Sequence, residues 1–187
     1  MEHRLMGPAA FSDVLSAAQA NAGWAFQRLF DELARPVAGY LRAQGGREPD
    51  DLANEVFLGV FSGIGSFEGS EAKFRSWVFT IAHHRLIDER RRLGRRPTMA
   101  DDEPDASLWG GDAEDDALRS TGTERVRDLL GGLPPDQRDV LLLRILADLT
   151  VDQTAEALNK TPGAVKALQR RGLAALRKEI STQGVSL

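Results

Sequence analysis

Residues 150–171 read Thr-Val-Asp-Gln-Thr-Ala-Glu-Ala-Leu-Asn-Lys-Thr-Pro-Gly-Ala-Val-Lys-Ala-Leu-Gln-Arg-Arg. Thr150 followed three residues later by Gln153 fits a capping box, which predicts a helix from Val151 to Leu158. Asn159-Lys160 breaks it, and Thr161-Pro162 supplies an N-cap and a first-turn proline for a second helix reaching about Ile180. A short helix, a tight turn and a longer helix make a helix-turn-helix plan. On the second helix Val165, Leu168 and Leu176 fall at core spacing, while Lys166, Gln169 and Arg170 turn another way. From Lys160 to Lys178 there are six basic residues and no acidic one. A helix that enters a major groove needs this pattern: small or polar residues facing base edges, and flanking cations on the phosphates. The competing reading is an ordinary solvated basic face.

Upstream, Leu133-Pro134-Pro135-Asp136 opens an apolar helix carrying Val140, Leu141, Leu143, Ile145 and Leu146, and Val126, Leu129 and Leu130 belong to a shorter one before Gly131-Gly132. The N-terminal half also repeats its apolar residues with a period near 3.6, which predicts helices rather than strands. These are expected over about 12–20, 23–42, from Pro49 onward, and 72–92. Pro36 is expected to kink or split the second. Gly63, Gly65 and Gly69 suggest a loose connection around Phe67. Phe74 is assigned to the core, while Trp77 suits core and surface about equally.

Between the halves, residues 97–118 hold eight of the 28 acidic residues and no basic one. The remaining 20 acids face 24 Lys and Arg, so the net charge of −4 conceals a basic remainder. A stretch this acidic, with two glycines together and no helical stripe, reads as a boundary. The expected organisation is therefore all-α: a helical unit over 1–96, an acidic flexible linker over 97–122, and a helix-turn-helix unit over 123–187. Leu108 and Trp109 interrupt the linker's polar character, as an exposed apolar pair or a docking spot.

The same sequence excludes several classes of function. With no cysteine, disulfide frameworks and thiolate zinc sites are impossible. No apolar run is long enough for a membrane span, and the N-terminus lacks a signal-peptide pattern, so a cytoplasmic protein without membrane insertion is expected. There is no P-loop, dinucleotide fingerprint or nucleophile motif. His83 and His84 are adjacent and point about 100° apart on a helix, a poor geometry for one metal. No catalytic residue, metal or cofactor is assigned. A second basic cluster, Arg85, Arg90, Arg91, Arg92, Arg95 and Arg96, follows the aromatic residues Phe67, Phe74 and Trp77. Rings beside arginines suit single-stranded DNA, whose bases stack and whose phosphates need neutralising.

Three segments in order resemble the bacterial extracytoplasmic-function (ECF) sigma factors of the sigma-70 family. Asp50-Asp51-Leu-Ala-Asn54-Glu55-Val-Phe57-Leu58 resembles region 2.2. Phe74-Arg-Ser-Trp77-Val-Phe-Thr-Ile-Ala-His83-His84-Arg85-Leu-Ile-Asp88-Glu-Arg-Arg-Arg92 resembles regions 2.3 and 2.4. Leu133 to Arg144, followed by Gly163 to Arg171, resembles region 4. The resemblance implies a subunit that joins core RNA polymerase through its β′ clamp helices and β flap and directs initiation at promoter DNA. It implies polymerase contacts at Asp51, Asn54, Glu55, Phe57 and Leu58. It implies −10 contacts at Phe67, Trp77, His84, Arg85, Asp88, Arg91 and Arg92. It implies −35 contacts at Lys160, Thr161, Lys166, Ala167, Gln169, Arg170 and Arg171. Family habit adds an anti-sigma factor as a partner. The alternative is a helix-turn-helix regulator that acts without replacing the sigma subunit.

Overall fold

A computed structural model describes residues 8–94 and 129–182 of the 187. Four helices build the first unit: α1 (Pro8–Gln19), α2 (Gly23–Ala43), α3 (Pro49–Gly63) and α4 (Glu71–Gly94), with a single 3-10 turn at Ile64–Ser66. Among the described residues the second unit holds α5 (Pro135–Ile145), α6 (Val151–Ala157) and α7 (Pro162–Thr182), preceded by helical residues 129–131, where the sequence suggests a short helix. Among the described residues there is no strand. Leu108, Trp109 and the acidic stretch lie outside those residues.

α2 runs unbroken through Pro36. Proline removes one N–H donor, which alone would favour a break. Leu29 and Leu33 before it and Val37, Tyr40 and Leu41 after it lie on one buried stripe, and packing of that stripe holds both halves in one helix. Against it pack Leu52, Val56 and Val60 of α3 and Phe74, Val78, Phe79, Ala82 and Leu86 of α4. α1 closes the end of the bundle with Phe11 against Phe74, ring centroids 5.6 Å apart.

The connection after α3 is better fixed than its glycines suggest. Ile64 is buried. The Gln19 side-chain amide donates to the carbonyls of Ile64 (3.1 Å) and Phe67 (2.8 Å), pinning the turn to α1.

In the second unit the capping box forms as its sequence predicts. Thr150 Oγ1 accepts from the Gln153 N–H at 3.2 Å, and Gln153 Oε1 accepts from the Thr150 N–H at 2.8 Å. Asn159, with φ of 51°, turns the chain in the left-handed region that asparagine tolerates. Thr161 Oγ1 then caps α7 through the Ala164 N–H at 3.2 Å. Arg138 gathers the carbonyls of Leu130, Gly131 and Leu133, which fixes how the chain enters α5.

α7 crosses α5 at Gly172, where a Cβ would meet Leu141 Cδ1 at 2.8 Å and Cγ at 3.2 Å. Leu141 is itself buried, so its side chain has little room to retreat. Gly172→Val should therefore destabilise the protein by about 1–3 kcal/mol through overpacking, despite the better helix propensity of valine. A urea unfolding curve measures this; an unchanged midpoint would contradict the close approach.

The two units pack against each other in this structure. Leu130, Leu133, Leu142, Ala147 and Leu149 share one buried cluster with the first unit's core. The seam is also polar. Gln44 Nε2 donates to Asp139 Oδ1 at 2.6 Å, in a buried setting. From within the first unit Arg90 steadies Gln44, donating to its carbonyl at 2.5 Å. Arg75 Nε donates to the Ala147 carbonyl at 2.6 Å, and Gln153 Nε2 donates to the Ala72 carbonyl at 3.1 Å.

Candidate functional site

On α3, Asp51, Asn54, Glu55 and Leu58 follow the spacing i, i+3, i+4, i+7 and so share a face. Asp51, Asn54 and Leu58 are exposed and Glu55 is half-buried. Leu58, at the C-terminal end of this stripe, is 69% exposed. Phe57 does not join this face. It is 2% exposed and packs between Phe30, at a centroid distance of 4.8 Å, and Phe61, at 5.7 Å. The expectation of direct contact at Phe57 is corrected accordingly: its place on the helix points it inward, one position off the exposed stripe.

On α4, Trp77, His84, Asp88 and Arg91 recur at i, i+7, i+11 and i+14, a single stripe. His84, Asp88, Arg91 and Arg92 are exposed, and Arg85 is half-buried. Asp88 pairs with Arg91 at 3.6 Å, with both side chains largely in solvent, so the pair contributes little stability. Trp77 is half-buried, packed against the core along one side and open on the other. Phe67 stacks on it, centroids 5.1 Å apart and planes 22° from parallel. Phe74, buried as expected, meets both rings near edge-on. Gly63 makes room for the indole, because a Cβ there would lie 3.0 Å from Trp77 Cζ2.

On α7, Lys166, Arg170 and Arg171 are exposed, and Ala167 and Gln169 are half-buried. Val165 is buried and Leu168 packs against it, anchoring the inward face. Thr161 is used as the helix cap. Lys160 is half-buried and turned toward α5, with Nζ 3.0 Å from Asp136. The structure therefore brings Lys166, Arg170 and Arg171 to the surface and ties Lys160 to its own unit.

Comparison with known proteins places the chain in a family. The Sigma-70 region 2 family model matches residues 29–96, and the Sigma-70, region 4 model matches residues 123–176. ECF RNA polymerase sigma factor SigD of Mycobacterium tuberculosis is 31% identical over 180 residues, spanning 91% of this chain and 84% of SigD. The chain belongs to the ECF RNA polymerase sigma factors. BldN of Streptomyces coelicolor is 32% identical over 180 residues, spanning 91% of the sigma factor and 68% of BldN. The solved structure of CnrH in complex with the cytosolic domain of CnrY shares the fold, with a TM-score of 0.66 at 20% identity over 90% of this chain and 96% of that one. The region 2 match over the N-terminal half disfavours a regulator that keeps only the helix-turn-helix.

Sequence reasoning missed several residues that shape the sigma factor's surfaces. Arg75 sits between Phe74 and Ser76 in the region 2.3 stretch, and nothing in its spacing marks it as a partner of the second unit. Gln44 and Asp139 are 95 positions apart and meet only in the fold. Gly63 and Gly172 carry no local signal, because the close approach that requires each comes from a distant side chain.

His83 and His84 part company. His84 is exposed, whereas His83 is buried with Nδ1 2.9 Å from the Tyr40 hydroxyl. Burial raises the Tyr40 pKa, so its hydroxyl keeps its proton and shares a hydrogen bond with the imidazole. Burial, the largest cause, lowers the pKa of His83 from 6.5; Asp139 opposes this, while His84, Arg90 and Lys160 add to it. The unfolded chain therefore binds this proton more readily than the folded one. His83's contribution to stability is full above its unfolded pKa and is lost as pH falls below about 6.5. The urea midpoint should drop between about pH 7.5 and pH 5.5, and drop less in His83→Gln; equal drops would remove His83 as the cause. Among the described residues no helix is long and apolar enough to cross a membrane.

Proposed function

We propose that this sigma factor docks on core polymerase through Asp51, Asn54, Glu55 and Leu58 of α3, with Phe57 holding that helix from inside. The acidic stripe offers complementarity to basic helices, and Leu58 offers the apolar anchor that concentrates binding energy. The α4 stripe, with the Phe67–Trp77 stack at its base, captures unpaired bases of the −10 element. Arg85, Arg91 and Arg92 neutralise adjacent phosphates, and His84 and Asp88 offer hydrogen bonds to exposed bases. α7 reads the −35 element as duplex through Lys166, Gln169 and Arg170, with Arg171 on the backbone. Ala167 allows close approach, and Thr161 presents the helix N-terminus.

The mechanism is binding rather than bond-making, so the chain itself is not an enzyme. Each DNA module is weak alone, and polymerase holding both on one promoter supplies avidity. Opening the −10 region costs a few kcal/mol per unstacked step, which capture of the released bases offsets. The acidic stretch over 97–122 discourages non-specific DNA contact by repulsion. The chain acts in the cytoplasm, and an anti-sigma factor restrains it, in keeping with the CnrH–CnrY likeness in fold.

The observation that carries this reading is one chain presenting an acidic-apolar stripe on α3 and basic outward faces on α4 and α7, each on a helix anchored from behind. Reconstitution with core polymerase on a promoter library, followed by transcript sequencing, tests it. Starts should cluster downstream of one paired −35 and −10 pattern. Starts indifferent to template sequence would contradict it.

A further inference from the structure

α1 lies ahead of the stretch matched by the region 2 model, which begins at residue 29, yet it reaches the candidate −10 surface. Its buried side, Phe11, Val14, Leu15 and Ala18, belongs to the core of the first unit. Its last residue is Gln19. There an exposed side-chain amide leaves the helix and bonds to residues 45 and 48 positions further along the chain. One nitrogen donates to the carbonyls of Ile64 at 3.1 Å and Phe67 at 2.8 Å.

The turn's own bonds are local. The Phe67 N–H donates to the Ile64 carbonyl at 3.0 Å, and Ser66 Oγ donates to the Gly63 carbonyl at 3.1 Å. These close the turn but leave its plane free to pivot on Ile64. An amide NH2 has two hydrogens, and holding the Ile64 and Phe67 carbonyls together fixes that plane. Phe67 leaves the turn in an extended conformation, φ −74° and ψ 131°. It is the residue whose ring stacks on Trp77. Ring and held carbonyl branch from one Cα, so freeing the carbonyl frees the backbone that aims the ring. The ring also meets Phe74 edge-on and lies close to Gly69, where a Cβ would be 3.2 Å from Phe67 Cζ. Phe74 and Trp77 stand on α4 and form a fixed floor, whereas the loop forms a wall whose position depends on what fastens it. Glu68 and Ser70, both exposed, follow the held carbonyl on the same loop.

We propose that Gln19 is a positioning residue for −10 recognition: its side-chain amide fixes the loop after α3 in the conformation that receives an unpaired base against the Trp77 stripe. The assignment rests on the promoter reading above and deepens it, by making α1 part of base selection as well as of the core. A loop without this hold still folds, but only a fraction of chains present it correctly, and apparent affinity for the captured base falls by that fraction.

Two substitutions test the hold. Gln19→Ala removes the donor, and Gln19→Glu keeps the shape while replacing the NH2 with an acceptor. Gln19 is exposed, so neither should move the urea midpoint appreciably. Each variant is assembled with core polymerase and assayed on promoters carrying each of the four bases at every −10 position, with intact and scrambled −35 elements. Both variants should join the polymerase and keep the wild type's preference for an intact −35 element. At the −10 position facing the loop they should lose base preference by about three- to tenfold, the range for one or two neutral hydrogen bonds that no longer hold the competent conformer. A spectroscopic reading needs no DNA. With Trp24→Phe and Trp109→Phe, Trp77 is the one indole left of three, and its emission should move to longer wavelength in Gln19→Ala as the Phe67 ring leaves it. Wild-type −10 preference in both variants, or a Trp77 emission that does not respond, would overturn the assignment. So would a loss of −10 preference matched by an equal loss at −35. A wild type with no −10 preference would instead sink the promoter reading on which the assignment rests.

Discussion

Lys166→Ala combined with Arg170→Ala should cost −35-dependent initiation about 1–3 kcal/mol for each base-specific interaction removed. Every 1.4 kcal/mol is a factor of about ten, so the double variant should fall by one to several orders of magnitude at such promoters. Both side chains are exposed on the outer face of α7, so the loss should come without a change in unfolding midpoint. The capped start of α7 at Thr161 and its buried anchor at Val165 are untouched, which keeps the helix in place. Initiation measured on matched templates with intact and scrambled −35 elements separates the two effects. Wild type should distinguish the templates and the double variant should not. Equal output from both proteins on the intact template would remove α7 as the reading helix.

The second large effect is on the fold. Phe79 is fully buried, meets the Tyr40 ring edge-on at 5.7 Å, and lies beneath the Arg75 guanidinium, also at 5.7 Å. Phe79→Ala leaves a cavity where the stripes of α2 and α4 meet, and should cost about 3–5 kcal/mol. Against a typical total of about 5–15 kcal/mol that is a large share. The consequence should reach function indirectly, since the same ring supports Arg75 at the seam. Urea unfolding gives the number; a loss below about 1 kcal/mol would show that the site collapses around the smaller side chain and that the core is less tightly packed than its burial indicates.

Local signals were readable in the chain, and long-range ones were not. The capping box at Thr150 and Gln153, the first-turn prolines at Pro49 and Pro162, and the 3.6-residue stripes placed most helices within a few residues, because each depends on neighbours in sequence. Pro36 does not split α2, since its local cost is real but the packing of Leu33 and Val37 on one face outweighs it. Phe57 misled in the opposite direction: it stands within a motif that suggests contact, yet helical phase turns it inward. The outward basic residues of α7 were legible from charge and spacing together. The seam was not. Gln44, Arg75 and Asp139 are ordinary polar residues in sequence, and only the tertiary fold gives them partners. The acidic segment marked the division into two helical units, but nothing in it announced that buried residues of the two would pack together.

The central claim is that this chain selects a start site only as part of core polymerase. The most direct measurement is to mix purified chain and core polymerase, isolate the complex by size, and follow template choice by that complex against a competing promoter. The account predicts a stable complex that opens one promoter class, and no sequence-selective opening by the free chain. Failure to join the polymerase, or joining it without conferring any preference among templates, would contradict it.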